Sequence, residues 1–216
     1  MEMYKAPRIN KKENPKANPM KQSEYYYYQS MGKALVGLER ALELRRGRIE
    51  YVTVADILDN CDIDPEEFES VFESPKQLLF DIYDEISILL SDTGTLLPDV
   101  DTNQQLTDVF KRLKKKCPML RVLRLVNDHY IWRENLKTLA PRIATDWPPV
   151  GSPEWDYLYA NFCCQFALVL EKWETSDFSD DRIKDCVRLI DMWIATGSMI
   201  YNSAEGLLAD WSTDKR

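Results

Sequence analysis

Residues 53–90, TVADILDNCDIDPEEFESVFESPKQLLFDIYDEISILL, decide the fold of this 216-residue chain, because they read as three consecutive helices joined by short turns. Each start carries a capping signal. Thr53 with Asp56, Asp64 with Pro65 and Glu67, and Ser74 with Pro75 and Gln77 each place a short polar side chain ahead of a helix and a carboxylate or amide three residues on, the pattern that satisfies the first free N–H groups. Proline at the first helical position suits the second and third starts, since it loses no hydrogen bond there and its φ is already helical. Val54, Ile57, Leu58, Ile63, Phe68, Val71, Phe72, Leu78, Leu79 and Ile82 recur three or four apart within the helices, giving each one face to bury. Short helices packed at an angle across a tight turn form a helix-turn-helix.

Thr53, Val54, Ile57, Ile63, Phe68, Phe72, Ser74 and Leu78 align without a gap on T-V-x-x-I-A-x-x-A-G-V-S-x-x-T-F-Y-x-x-F-x-S-K-x-x-L. In this the stretch resembles the DNA-binding head of the TetR family of bacterial transcriptional regulators. The run Ala41, Leu42, Glu43, Leu44 with Gly47 resembles the end of that family's first helix. The motif covers about a quarter of the chain and departs from the family at three positions: Asp62 stands for a turn glycine, Glu69 for a phosphate-reaching tyrosine and Pro75 for a phosphate-reaching lysine. The resemblance implies a three-helix head followed by a C-terminal helical bundle whose last two helices dimerise.

Bulk properties agree with an all-α chain. Hydrophobic residues make up 44% of the sequence, enough for a packed interior, and Leu-rich windows of 3.6-residue period outnumber alternating ones. No run of apolar residues reaches the length of a membrane span, and residues 1–21 are polar and basic rather than signal-like, so a cytoplasmic protein with no membrane partner is expected. The five cysteines are odd in number, Cys163 and Cys164 are adjacent, and there is one histidine; free thiols and no metal or cofactor are expected.

Three segments follow. Residues 1–23 form a Pro/Asn/Lys-rich arm, which either tracks DNA phosphates or solubilises the chain. Residues 24–91 form the helix-turn-helix domain, with Tyr25–Tyr28 opening its first helix. Residues 92–216, set off by the Gly94 and Pro98 break, form a ligand-binding and dimerisation domain. Helices are expected over about 102–116, from Met119 to Asn127, over 129–146 with a kink near Pro141, and from Glu154 to about Glu174. A last helix follows the break at 175–180.

Charge is divided. Residues 1–48 hold eleven Lys and Arg against five acids, whereas Thr53–Lys76 holds eight acids and one base, Lys76. The candidate DNA-binding set is Arg46, Arg48, Thr53, Asp64, Glu66, Glu67, Glu69, Ser70 and Lys76. Carboxylates here oppose the field of double-stranded DNA. Acids in a first helical turn favour the helix dipole, and Glu can accept from cytosine N4, so the bases must hold the phosphates.

In the C-terminal domain, His129, Tyr130, Trp132, Tyr159, Phe162, Cys163 and Phe166 are the candidate ligand-binding set, read either as plain core or as the walls of a pocket for a small apolar or aromatic effector. Leu170, Trp173, Ile183, Val187, Ile190, Ile194 and Tyr201 lie on the stripes expected to face a second copy, with Met192, Trp193, Met199 and Ile200 off the main stripe. No catalytic constellation is present in the sequence. Two functions fit: a TetR-like, ligand-responsive regulator that binds operator DNA as a homodimer, or a TetR-like protein whose acidic head has lost DNA and serves protein interaction or ligand sensing.

Overall fold

A computed structural model describes residues 19–91, 101–126 and 129–213, and side chains over 23–91, 101–126 and 132–203. The arm at 1–18 and the break at 92–100 lie outside the described residues. The chain is all-α, with no strand among the described residues. The described residues divide into two compact units: 19–84 with 118–126, and 85–91 with 101–117 and 129–213.

The first unit contains α1 (Pro19–Leu44), α2 (Val54–Leu58), α3 (Pro65–Val71), the first part of α4 (Pro75–Ser91) and most of α6 (Cys117–Val126). α1 begins at Pro19, nearly two turns before the tyrosine run. It ends in a double turn. Gly47 N–H donates to Leu42 O at 2.8 Å and Arg46 N–H to Glu43 O at 3.3 Å, which satisfies the last carbonyls. This places Arg46 at φ 54° and Gly47 at φ 77°. A Cβ on Gly47 would lie 2.1 Å from Leu125 O, so the turn closes directly onto α6.

All three capping residues do as the sequence suggests, but only one cap is reciprocal. Thr53 Oγ1 accepts from Asp56 N–H at 3.1 Å while Asp56 Oδ2 accepts from Thr53 N–H at 2.9 Å. Asp64 Oδ1 accepts from Glu66 N–H and Ser74 Oγ from Gln77 N–H. Gln77 donates to Asp81 at 2.8 Å, and the Glu67 carboxylate takes its two side-chain hydrogen bonds from α1. Glycine decides how closely α1 meets α2. Gly37 is buried, and a Cβ there would stand 2.4 Å from Ile57 O and 2.9 Å from Cys61 Sγ. The unit's core is Leu35, Leu38, Leu42, Ile57, Phe68, Phe72, Leu78 and Ile82, all at most 1% exposed.

The second unit holds α5 (Thr102–Lys114), α7 (His129–Asn135), α8 (Ala140–Ile143), α9 (Pro153–Glu174) and α10 (Ile183–Thr213). The segment 129–146 is not one kinked helix. It breaks fully at 136–139, because Pro141 has no N–H to continue the ladder and sits in the first turn of α8. Pro118 likewise falls inside the first turn of α6. α9 pairs with α7 and α10, and α10 with α5. α9 ends as α1 does: Phe178 N–H donates to Trp173 O at 3.2 Å, with Asp177 and Phe178 at φ 52° and 53°. The Phe178 ring packs edge-on against Trp173 at 5.2 Å, the apolar contact that accompanies such a terminus. Trp147 is buried, and its indole N–H donates to Ile194 O at 2.9 Å.

Candidate functional site

In the head, the two faces of α3 have different occupations. Its inner face is held against α1. Phe68 is fully buried and stacks obliquely on Phe72 at 5.3 Å, and Phe72 in turn meets Tyr27 at 6.1 Å. Beside these rings the Glu67 carboxylate accepts from Ser30 Oγ at 2.7 Å and from Lys33 Nζ at 2.8 Å. The Lys33 ammonium, and after it the Ser30 hydroxyl, hold the Glu67 carboxyl below the usual carboxylate range. Glu67 is thus removed from the candidate DNA-contact set, its two oxygens committed within the chain. Nothing in the local sequence signalled this, since its partners lie 37 and 34 residues away.

The outer face is open. Asp64, Glu66, Glu69 and Ser70 are exposed, as are Glu73 and Lys76 beyond the helix. The Ser70 hydroxyl donates to Glu67 O at 2.8 Å, so it offers only its lone pairs outward. The carboxylates of this face carry the charge that disfavours DNA.

A basic edge lies where α1 ends. Arg46 and Arg48 are exposed. Arg48 stands over the exposed ring of Tyr51 at 5.8 Å, within cation–π range. Their neighbour Arg45 is spent inside the head: its guanidinium forks onto Asp56, with Nη2 to Oδ1 at 2.7 Å and Nε to Oδ2 at 3.3 Å. That guanidinium, followed by the Thr53 N–H, pulls the Asp56 carboxyl down to about 2. Thr53 is exposed, with its hydroxyl inside the cap. Of the eight acids between Thr53 and Lys76, Asp56 and Glu67 are therefore structural, and Asp59, Asp62, Asp64, Glu66, Glu69 and Glu73 remain on the surface.

In the second unit, the candidate ligand set proves to be closely packed where it is described. Trp132, Tyr159, Phe162, Cys163 and Phe166 are all buried. Phe166 meets Phe110 at 5.8 Å, Trp132 at 5.7 Å and Phe162 at 6.1 Å. The Tyr159 hydroxyl donates to Arg133 O, and burial raises its pKa and pushes the Cys163 thiol up to about 11. The side chains of His129 and Tyr130 lie outside the described residues. A cavity of about 110 Å³ does occur, lined by Phe162 of this set together with Trp147, Tyr157, Trp193 and Gly197.

The candidate dimer set is also spent within one chain. Leu170, Trp173, Ile183, Val187, Ile190 and Ile194 are buried, and Tyr201 is half-buried. The apolar groups left open on the same two helices are Tyr157, Leu168, Leu189, Met192, Met199 and Ile200, between 39% and 70% exposed. They recur at helical spacing on α9 and on α10, so the uncovered face follows the residues off the main stripe.

No family model matches the sequence, and no curated protein matches it. Among solved structures, the chain is similar to a TetR transcriptional regulator from Streptococcus agalactiae 2603V, at 20% identity over 82% of this chain and 99% of that one, with a TM-score of 0.47. Among the described residues no helix is long and apolar enough to cross a membrane, and no cluster of His, Cys, Asp and Glu is arranged to hold a metal ion.

Proposed function

We propose that this protein is a TetR-like, ligand-responsive transcriptional regulator that binds operator DNA as a homodimer in the cytoplasm, with residues 24–91 as the DNA-binding head and 92–216 as the ligand-binding and dimerisation domain. One observation carries the reading: α3 is clamped to α1 on one side by Phe68 and the Glu67 link, and is left uncovered on the other along its whole length. A recognition helix has to be held and presented in this way. Asp64, Glu66, Glu69 and Ser70 then face base edges, where glutamate accepts from cytosine N4. Arg46, Arg48 and Lys76 supply phosphate contacts, together with Thr53 at the start of α2.

The second copy docks on the open face of α9 and α10, at Leu168, Leu189, Met192 and Met199. Two heads so joined would address successive major grooves about 34 to 36 Å apart. A small apolar or aromatic effector in the C-terminal domain shifts the population between head spacings that fit and do not fit the operator.

The acidity of α3 favours a second reading, in which the same uncovered helix meets a basic protein partner. Fluorescence anisotropy separates the two. The protein is titrated onto the duplex upstream of its own gene, a scrambled duplex and a panel of genomic fragments at several salt concentrations. Selective binding that weakens with salt supports the regulator. Its absence from every fragment, with and without cell extract as a source of effector, moves the head to the protein-partner reading. In the regulator, a Glu66→Gln and Glu69→Gln double variant keeps nonspecific affinity or raises it, while Arg46→Ala and Arg48→Ala lower affinity on all sequences and flatten the salt slope.

A further inference from the structure

We infer that the cleft between the first half of α9 and the middle of α10 is a binding site for a small organic cation with an aromatic or alkyl body, such as a substituted ammonium. The cavity of about 110 Å³ is lined by the rings of Trp147, Tyr157, Phe162 and Trp193. It shares Tyr157, Leu158 and Ile200 with a shallower cleft of about 300 Å³, which Glu154 borders.

Gly197 contributes to the shape of the site, because a Cβ there would sit 2.8 Å from the Trp147 indole and force that ring to move. The indole itself is fixed by its hydrogen bond to Ile194 O, so one wall is set before any ligand arrives.

The lining decides the ligand class. Neither part of the cleft contains a Lys, Arg or His, and the one ionisable acid at its border is Glu154. A carboxylate or phosphate ligand would be desolvated against aromatic rings with no counter-charge. A cation instead meets several aromatic rings and a carboxylate at the border of the adjoining cleft, the combination that recognises quaternary ammonium groups. The nearest polar side chains leave acceptors: Asn161 donates its amide to Tyr157 O and Thr196 its hydroxyl to Met192 O, which leaves their lone pairs for an ammonium N–H. The site lies wholly within the second unit and stands whether or not the head binds DNA.

Isothermal titration of the full chain with benzyltrimethylammonium, its uncharged carbon isostere and benzoate tests the inference, with intrinsic tryptophan fluorescence as a second readout. Saturable binding of the cation, roughly tenfold tighter than the isostere, is expected from a partly desolvated cation–π site, with no binding of benzoate. Trp193→Leu should weaken the cation roughly tenfold, and Glu154→Gln, a surface change that leaves the fold intact, should weaken it severalfold. Equal affinity for cation and isostere overturns the inference, as does indifference to Glu154→Gln. No saturable binding, the result expected if a second copy's side chains fill the cleft from the open face, overturns it too.

Discussion

In the head, residues far apart in sequence are tied by directed polar contacts: Glu67 reaches Ser30 and Lys33, and Arg45 forks onto Asp56. The C-terminal unit gives the same task to rings, with Phe166, Phe110, Trp132, Phe162 and Trp173 meeting one another at 5.3 to 6.1 Å. The two solutions suit the sizes of the parts. α2 and α3, of 5 and 7 residues, are too short to hold a shape or an orientation alone, so caps and charge pairs must set their angle. α9 and α10, of 22 and 31 residues, bury enough apolar surface that mass suffices. An exact angle matters where a surface is read, and volume matters where a bundle must only stay together.

The contrast can be broken experimentally, and the largest expected effect is in the bundle. Phe166→Ala removes a ring from the centre of the aromatic cluster and should cost about 3–5 kcal/mol, read by urea denaturation. In the head, adding one methyl should be costly. Gly37→Ala gains helix propensity but drives a Cβ toward the Ile57 carbonyl, which is backbone and cannot swing aside, for a net loss of about 1–3 kcal/mol. If Gly37→Ala cost as much as Phe166→Ala, the division between angle and mass would be wrong. Glu67→Ala should cost about 1–2 kcal/mol, since Lys33 keeps partial access to water while the buried Ser30 hydroxyl loses its acceptor, and it should loosen α3 and lower hydrogen-exchange protection there more than in α9.

The smallest effect is a pH dependence. The folded Asp56 carboxyl is held at about 2 against an ordinary 3.8. Its contribution is therefore complete above about pH 4 and is lost as pH falls through 2. Asp56→Asn should flatten the acid limb of the stability curve within that window and leave its shape near neutrality unchanged.

What could be read from the sequence divides along the same line. The caps at Thr53, Asp64 and Ser74 were legible because a cap is a local event, complete within four residues. The stripes of α9 and α10 were legible as stripes. Their partner was not, because an apolar residue carries no address: Leu170, Ile183 and Ile190 fill their own chain's core in place of the second copy's. Trp147 followed a different course. It stands before Pro148 and Pro149 in a loop, yet the indole is buried against α10 because Gly197 leaves room for it. Glu67 shows the limit most plainly. Its place in the first turn of a helix suggested a cap or a base contact, and only folding brings Ser30 and Lys33 beside it.

Cys164 gives the open face a chemical handle. It lies exposed on α9 between Tyr157 and Leu168, whereas Cys163 and Cys186 are buried, their thiols pushed up to about 11, and Cys61 and Cys117 are half-buried. A thiol-directed reagent at neutral pH therefore has one readily reached target in the chain. A spin label or fluorophore placed there would sit on the face assigned to the second copy, so that face can be interrogated in the unaltered sequence, without first engineering away any of the other four cysteines.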